Sequence, residues 1–401
     1  MTETISTELP TKRPNPYDPP VELGELREEA PLSRLRFPDG HLGWLVTNHE
    51  LVRQVMGDRR FSSRAELHHR PFAPGGVVQT EPMPAAKPGV FISMDAPNHT
   101  RYRKLLTGQF TVRRMNQLST RIEEIVLEHL AAMRAQGTSA DLVSAYALPI
   151  PSLVICELLG VPYDERHGFQ EDTAKGLSLE STMEEIRAAF DRIQDFVRDL
   201  VRRKRVNPGD DMLSGLITSG ADLTDEEISG MGVLLLVAGH ETTANMLGLG
   251  TLTLLTNPDQ LAALRADPSL IDNTVEELMR FLTIIQLGTI RTALEDVELA
   301  GHVVRAGETL SLSLPAANRD PERFSDPDKF DITRSANGHL SFGHGVHQCL
   351  GQQLARIEMR IAYARLFEEF PDLRLAVPVE EVPLRTDMGI YGVHELPVEW
   401  S

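Results

Sequence analysis

A glycine-rich segment places one cysteine, Cys349, where its thiol could carry a negative charge. The segment reads FGHGVHQCLG (342–351), and the apolar residues that follow it recur at helical spacing. At such a loop-to-helix junction, unpaired backbone N–H groups and the positive end of the helix dipole stabilise a thiolate. The glycines let the backbone approach a flat ligand closely. A thiolate in this place can serve as a nucleophile, a redox sensor or a metal ligand.

The other cysteine, Cys156, lies in the apolar run LVICELLG (153–160) and is predicted to be an ordinary core residue. Two cysteines are too few for a disulfide framework or a cysteine-rich zinc site, and the pattern is typical of a reducing cytoplasm. Cys349 is therefore the cysteine that we expect to do chemistry.

A second polar group, AGHETT (238–243), stands in the middle of a long apolar stretch. Burying an unpaired carboxylate such as Glu241 is costly, so this residue needs either a partner, for example a distant Arg, or a function. The run Thr224-Asp-Glu-Glu227 is a capping box that opens a helix, and the Asn-Pro pair at 257–258 should end it. Such a helix has about 32 residues and a length of roughly 48 Å. Its polar centre argues against a membrane span, so we predict a buried helix.

The rest of the chain is predicted to be mainly α with small β-sheets. Helical spacing runs from residue 98 to 205, whereas strand-like alternation is concentrated at 292–314 and 382–400. Residues 62–95 carry so many Pro and Gly that we predict a long loop, of the kind that often forms a lid. Residues 1–20 are predicted to be an extended N-terminal arm, and residues 21–401 a single domain.

The charge balance argues against nucleic acid as the main partner. Forty Lys and Arg stand against 58 Asp and Glu, which leaves a net charge of −18, whereas phosphate binding needs surplus positive charge. Hydrophobic residues make up 41% and charged residues 24% of the chain, as in ordinary globular proteins. We therefore expect a globular, cytoplasmic protein that binds neither nucleic acid nor a membrane.

The segment FGHGVHQCLG resembles the haem-binding signature of the cytochrome P-450 superfamily, in which a Phe and two Gly precede the ligating Cys. Three further motifs stand in the right order, so the resemblance covers nearly the whole chain and is closest to the soluble bacterial branch. It implies the mainly helical P-450 fold, haem b (iron protoporphyrin IX) as the cofactor and Cys349 as the iron ligand. It also implies a monooxygenase that inserts one oxygen atom of O2 into an apolar small molecule, such as a polyketide, terpenoid or steroid-like natural product.

The same resemblance implies roles for residues elsewhere in the chain. On the long helix, Ala238 and Gly239 leave room for dioxygen. Thr242 hydrogen-bonds the oxygen during its activation, and Glu241 relays protons from solvent. The residues implied to pair with the haem propionates are His99, Arg103, Arg291 and His347.

A structural ion pair is also implied by the resemblance. Glu277 and Arg280, in EELMR, form in this family a buried pair that a downstream Arg completes. Arg323 lies in PERF (321–324) and Arg334 in PDKFDITR (327–334). The later segment matches the family's order, so we predict Arg334.

The electrons for this chemistry must come from another protein, because no fused flavin domain and no GxGxxG fingerprint is evident. The resemblance implies a ferredoxin with an NAD(P)H-dependent ferredoxin reductase. An acidic ferredoxin would be steered to a basic patch. The patch is predicted to consist of Arg101, Lys104, Arg113, Arg114, Arg356 and Arg360.

Other readings of the chain stay open. A peroxide-driven haem peroxygenase would keep the cofactor, but peroxide bypasses the proton relay that Glu241 and Thr242 would serve. A non-enzymatic haem sensor or carrier is the second alternative, and no DNA-binding or signalling segment accompanies the core. A helical protein without haem would require all of the motifs to coincide by chance.

Overall fold

The structure, a computed structural model, describes residues 5–6, 8–110, 112–287 and 289–401. The α-helices are α1 (Val21–Glu29), α2 (His49–Gly57), α3 (Asn98–Thr107), α4 (Val112–Gln136), α5 (Pro149–Leu159), α6 (Arg166–Leu177), α7 (Met183–Val206), α8 (Met212–Thr218), α9 (Asp225–Thr256), α10 (Pro258–Ala266), α11 (Ile271–Leu282), α12 (Leu314–Ala317) and α13 (Gln352–Glu369). The β-strands are β1 (Ile5–Ser6), β2 (Leu32–Arg36), β3 (Leu42–Val46), β4 (Phe61–Ser62), β5 (Ser139–Asp141), β6 (Thr289–Ala293), β7 (Val297–Leu299), β8 (His302–Val304), β9 (Thr309–Leu312), β10 (Arg374–Leu375) and β11 (Pro397–Glu399). The predicted class, mainly α with small β-sheets, is confirmed.

Helix α9 is the long helix that the sequence predicts. The Thr224 side chain accepts a hydrogen bond from the backbone N–H of Glu227, and the Glu227 carboxylate accepts one from the backbone N–H of Thr224 at 2.8 Å. This capping box satisfies two of the backbone donors that every helix start leaves open. The helix ends before Asn257 and has the predicted 32 residues.

The long loop is also confirmed. Beyond the end of β4, residues 62–95 contain no α-helix or strand, and their regular structure is confined to three 3₁₀ turns. The turns are Ala65–Leu67, Pro74–Gly76 and Phe91–Ser93. The role of this loop as a lid stays a prediction.

The two strand-rich regions turn out differently. Residues 292–314 contain the end of β6 and all of β7, β8 and β9, as predicted. Residues 382–400, all of which the structure describes, contain one strand, β11, and two isolated bridges, in which Leu384 pairs with Val393 and Met388 pairs with Ser178. The prediction for the tail was too generous, because Pro383 cannot donate a ladder hydrogen bond and glycines at 389 and 392 weaken strand structure.

The first of two compact units consists of Met1–Ala86, Ile92–His99 and Glu276–Leu350. Its six-stranded sheet has the order β1-β2-β3-β9-β6-β4. Strand β3 pairs in parallel with β9, with Trp44 opposite Leu310 and Val46 opposite Leu312, so strands far apart in the sequence are neighbours. Buried apolar side chains that cluster in this unit include Leu32, Val52, Val55, Phe61, Val297, Leu299, Val304 and Leu340.

The second unit consists of Lys87–Phe91, Thr100–Val275 and Gly351–Ser401. Helix α9 packs against α5, α7 and α13 within this unit. The hydroxyl of Tyr363 on α13 donates a hydrogen bond to the carbonyl oxygen of Met246 on α9. A three-stranded sheet of order β10-β11-β5 joins the C-terminal region to the segment after α4.

The division of the chain into an arm and one domain stays a prediction. Residues 8–20 of the predicted arm carry no helix or strand, and the strand before them, β1, pairs in parallel with β2. Among the described residues, no helix is both long and apolar enough to cross a bilayer.

Candidate active site

The loop that carries Cys349 belongs to the first unit and leaves the thiol exposed. The backbone N–H of Cys349 donates a 2.7 Å hydrogen bond to the carbonyl oxygen of Phe342, which closes the loop. Gly343 and Gly345 adopt positive φ angles of 70° and 73°, a conformation that other L-residues rarely adopt. A Cβ at Gly345 would lie 2.6 Å from the carbonyl oxygen of Met56, so the glycine is required there by space as well. Helix α13 begins three residues after Cys349, and the predicted loop-to-helix junction is confirmed.

The structure brings two of the predicted cofactor-binding residues together. The rings of His99 and His347 have centroids 4.1 Å apart and an angle of 45° between their planes. His99 is buried and opens α3, whereas His347 is half-buried and ends the 3₁₀ turn before Cys349. A histidine on the loop and one outside it therefore meet beside the cysteine segment of the same unit.

Arg291 is a buried cation on strand β6. Its side chain donates a 2.8 Å hydrogen bond to the neighbouring carbonyl oxygen of Ile290. Among the described residues, no carboxylate lies within 4.0 Å of its guanidinium group. Burial lowers the pKa of Arg291 to about 10, and the more distant Asp95 offsets part of this effect. A buried guanidinium without an ion-pair partner suits an anionic ligand.

Arg103 lies on the same helix as His99, one turn later, and is half-buried. It belongs to the second unit, as do the predicted oxygen-activating residues on α9.

Helix α9 has a stripe of accessible residues at its centre. Ala238 is exposed, and Leu234, Val237, Gly239 and Thr242 are partly exposed, although most of the helix is buried. The Thr242 hydroxyl donates a 2.9 Å hydrogen bond to the carbonyl oxygen of Ala238, four residues earlier. This bond keeps the hydroxyl oxygen on the accessible stripe with its lone pairs available to a ligand.

Gly239 has a packing reason for lacking a side chain. A Cβ at this position would lie 2.7 Å from Cδ1 of Ile155 on α5. The glycine lets α9 pack closely on α5, and the open space on the helix centres instead on Ala238.

Glu241 lies beside the stripe but is itself buried, with 3% of its surface exposed. Its Oε2 atom accepts a hydrogen bond from Nδ2 of Asn245 at 3.1 Å and lies 3.1 Å from Nη2 of Arg385. The distant Arg that a buried glutamate requires is therefore Arg385. The sequence contains a hint of Asn245, which stands one helical turn after Glu241, but none of Arg385, which is 144 positions away.

Comparison with known proteins decides the family. The Cytochrome P450 family model matches residues 177–389. Cytochrome P450 105C1 from a Streptomyces species is 49% identical over 400 residues, which is 100% of both chains. The chain belongs to the cytochrome P450 family. Pentalenic acid synthase from Streptomyces avermitilis is 45% identical over 395 residues and covers 98% of this P450 and 97% of its own length.

Solved structures agree with the assignment. The crystal structure of CYP105P1 in complex with filipin I superposes on this P450 with a TM-score of 0.93, at 44% sequence identity and with 99% of both chains covered. The protein has the P450 fold, and it is a haem-thiolate monooxygenase.

Several observations on this P450 fit a haem. The first unit supplies an exposed thiol and a buried cation that lacks a carboxylate partner among the described residues. The second supplies an accessible stripe on an otherwise buried helix, with a hydroxyl on it. A haem requires groups of these kinds, namely a donor for its iron, a positive charge for a propionate and room for oxygen.

The structural ion pair takes the form that the sequence predicts. Arg280 donates to both carboxylate oxygens of the fully buried Glu277 at 2.8 Å. Nε of Arg334 donates to Oε1 of the same carboxylate at 3.2 Å. Arg323 instead donates to the carbonyl oxygen of Asn337, so the choice of Arg334 is confirmed.

Proposed function

We propose that this P450 binds haem b through the thiolate of Cys349 and hydroxylates or epoxidises an apolar natural product. The observation that carries the proposal is the exposed thiol of Cys349 on a glycine loop held closed by its own backbone N–H. When bound, a thiolate-ligated haem supplies the chemistry of O–O bond cleavage. For hydroxylation the balance is R–H plus O2, two electrons and two protons giving R–OH and H2O.

In this proposal, four side chains hold the haem propionates. Arg291 contributes a buried positive charge that only a carboxylate of the ligand would neutralise fully. The paired rings of His99 and His347 and the guanidinium of Arg103 contribute further donors. Arginine suits this task because its planar group binds carboxylates in two hydrogen bonds.

The proposed oxygen-activating residues lie on α9. Ala238 leaves the space for oxygen, because its own side chain is small and exposed. The Thr242 hydroxyl donates to Ala238 and is thereby placed to accept a hydrogen bond on the accessible stripe, and Glu241 supplies protons from the buried side of the helix. Gly239 acts indirectly, by letting the helix lie close to Ile155.

The proposed substrate is an apolar polyketide, terpenoid or steroid-like molecule. Two of the similar proteins support this class, since one is named pentalenic acid synthase and the other was crystallised with filipin I. The partly exposed Leu234 and Val237 extend the accessible stripe of α9 with apolar surface. An apolar lining with few polar groups suits such ligands.

The proposed electron donor is a ferredoxin with its NAD(P)H-dependent reductase. The predicted basic patch is weaker than its sequence indicates, because three of its members are compensated by carboxylates. Arg101 pairs with Glu227, Arg114 lies 3.7 Å from Asp210, and Arg360 lies 3.3 Å from Asp272. Lys104 and Arg113 are exposed and have no carboxylate within 4.0 Å among the described residues. We therefore assign the steering of an acidic ferredoxin to these two residues.

The decisive experiment is the absorption spectrum of the reduced protein under carbon monoxide. A strongly red-shifted Soret band is expected for the wild type and for Cys156→Ser, the matched control at the buried cysteine. Cys349→Ser should lose the band. A histidine-type band in the wild type, or an unchanged band in Cys349→Ser, would refute the proposal.

Turnover assays then separate the two alternatives from the monooxygenase. Product that requires ferredoxin, reductase and NAD(P)H supports the monooxygenase, whereas equal product from hydrogen peroxide alone supports a peroxygenase. A haem-loaded protein that oxidises no apolar compound, either with O2 and the ferredoxin system or with hydrogen peroxide, supports a sensor.

A further inference from the structure

We infer that Arg385, which lies in the hairpin 384–393, is a positioning residue for Glu241. It acts together with Asn245, which lies on α9 one helical turn after Glu241. The inference rests on the proposed role of Glu241 as a proton donor. It adds the two residues that hold the Glu241 carboxylate in place, Asn245 on α9 and Arg385 in the C-terminal region.

The contacts of the carboxylate are concentrated on one oxygen. Oε2 of Glu241 lies 3.1 Å from Nη2 of Arg385 and accepts a 3.1 Å hydrogen bond from Nδ2 of Asn245. Nδ2 of Asn245 also donates to the carbonyl oxygen of Glu241 at 2.8 Å, so the amide is held at two points. The side chains of Glu241 and Arg385 are 4% and 11% exposed, and a charge pair so far from solvent is fixed in place rather than exchanging with water.

The hairpin gives Arg385 a rigid base. Leu384 and Val393 form a bridge, and the backbone N–H of Arg385 donates a 2.9 Å hydrogen bond to the carbonyl oxygen of Gly392. A Cβ at Gly392 would lie 2.0 Å from Oδ1 of Asn245 and 2.8 Å from its Cγ. The hairpin therefore contacts Glu241 through Arg385 and touches Asn245 at the glycine opposite.

Two further atoms of these side chains are suited to bind water. Nε of Arg385 and Oδ1 of Asn245 are both buried, and neither has a hydrogen-bond partner among the described residues. One is a donor and the other an acceptor, and both belong to residues that hold the same carboxylate oxygen. Buried polar atoms of this kind are commonly satisfied by ordered water. Arg385 and Asn245 thus hold the Glu241 carboxylate beside a buried donor and a buried acceptor, each of which an ordered internal water would satisfy.

A rate measurement that uses oxygen itself as the probe tests this role. Oxygen consumption by the haem-loaded protein, with ferredoxin, reductase and NADPH, is measured in H2O and D2O. Glu241→Gln and Arg385→Met should each lower the rate by about 10-fold and raise the ratio of the rates in H2O and D2O, since both impair proton delivery. Arg385→Lys should restore the rate to within about threefold of the wild type, because it keeps the charge.

The double variant Glu241→Gln/Arg385→Met identifies a shared role. Its rate should equal that of Glu241→Gln alone, because Arg385 acts through Glu241. An Arg385→Met rate and isotope ratio equal to the wild type, or effects that multiply in the double variant, would overturn the inference. As a control for electron delivery, the first reduction of each variant is followed by the formation of its carbon monoxide complex. The rate of this step should equal that of the wild type.

Two glycine variants in the hairpin test the role of Asn245 without changing Glu241 or Arg385. Gly392→Ala should lower oxygen consumption, since its Cβ displaces the Asn245 amide. Gly389→Ala in the same hairpin should match the wild type, because its Cβ comes no closer than 3.4 Å to any other group. Equal rates for the two variants would remove Asn245 from the inference.

Urea unfolding supplies a readout that needs no turnover. Arg385→Met should lower the unfolding midpoint more than the double variant does, because it alone leaves an unpaired buried carboxylate. A midpoint that falls together with an unchanged isotope ratio would mean that the pair is only structural, and the inference would fail. Loss of the red-shifted carbon monoxide band in the wild type would instead refute the proposed function itself.

Discussion

Gly230 and Pro88 approach each other so closely that a Cβ on Gly230 would lie 1.9 Å from the carbonyl oxygen of Pro88. Gly89, at φ +86°, packs in the same way, since its Cβ would lie 2.2 Å from the carbonyl oxygen of Glu227. A 2.8 Å ion pair between Lys87 and Asp191 ties the same segment to α7. The end of the long loop is thus fastened to α9 by backbone contacts that only glycines allow.

Gly230→Ala is expected to detach residues 87–91 from α9. Overpacking of this kind costs about 1–3 kcal/mol, which exceeds the gain in helix propensity from replacing a helical glycine. Hydrogen exchange of the segment should become faster, and the free energy of unfolding should fall. Gly168→Ala is the matched control, because the added Cβ meets nothing within 4 Å on α6. Equal exchange in the two variants would contradict the close contact.

Arg291→Met is expected to stabilise the haem-free protein and to weaken the binding of haem. Without haem, the variant should be more stable by about 1–3 kcal/mol, because a buried cation without a carboxylate partner is costly. With haem, it should release the cofactor faster to an acceptor such as apomyoglobin. Urea unfolding of the haem-free protein and the haem-transfer rate measure the two effects. The control is Arg202→Met on the exposed face of α7, and a variant that holds haem as firmly as this control would speak against the propionate role.

Arg334→Met and Arg323→Met should differ strongly in their effect on stability. Arg334 shares the buried carboxylate of Glu277 with Arg280, and breaking a buried ion pair costs about 3–5 kcal/mol. Arg323 is exposed and donates only to a backbone carbonyl oxygen, so its loss should cost less than about 1 kcal/mol. Urea unfolding of the two variants provides the comparison, and a reversed order would contradict the geometry.

The anchoring of the long loop to the sheet should weaken as the pH falls. His41 and His69 stack with centroids 3.7 Å apart, and Nε2 of His41 accepts a 3.1 Å hydrogen bond from the backbone N–H of Thr309. Burial and then the neighbouring His69 lower the pKa of His41 from 6.5 to about 4, while Asp39 and Glu308 oppose this effect and Arg34 adds to it. The folded state therefore binds this proton less tightly than the unfolded state does, and stability is lost as the pH falls from 6.5 towards 4.

His41→Gln should flatten this pH dependence, because its amide oxygen still accepts from Thr309 but does not titrate. The measurement is hydrogen exchange of residues 67–69 at several pH values between 4 and 7. His167→Gln, at an exposed histidine of α6, serves as the control and should keep the wild-type slope. A wild-type slope in His41→Gln would exclude His41 as the titrating group.

Local patterns in the sequence predicted those structural features that are determined by residues close together in the chain. The capping box at Thr224 and Glu227 marked the start of α9, and the glycines around Cys349 marked its loop. In both cases the determining groups lie within a few positions of one another, so spacing carries the information.

Contacts between distant segments could not be read in this way. Arg385 contacts Glu241 across 144 positions, and an isolated Arg in the C-terminal tail carries no local signal. The need for a glycine at 239 came from Ile155 on another helix, although the sequence suggested room for oxygen. Side-chain packing between elements decides such positions, and a single sequence does not contain it in periodic form.

The parallel pairing of β3 with β9 affects the order in which the nascent chain can fold. Trp44 and Leu310 are partners, yet a ribosome adding about 5–20 residues per second needs roughly 13–50 s to travel from one to the other. Throughout that interval the amino-terminal strands lack their central neighbour, and helices α4 to α8 are all synthesised before that neighbour is. Folding should accordingly begin in the middle of the polypeptide, and the first hundred residues should depend most on chaperones.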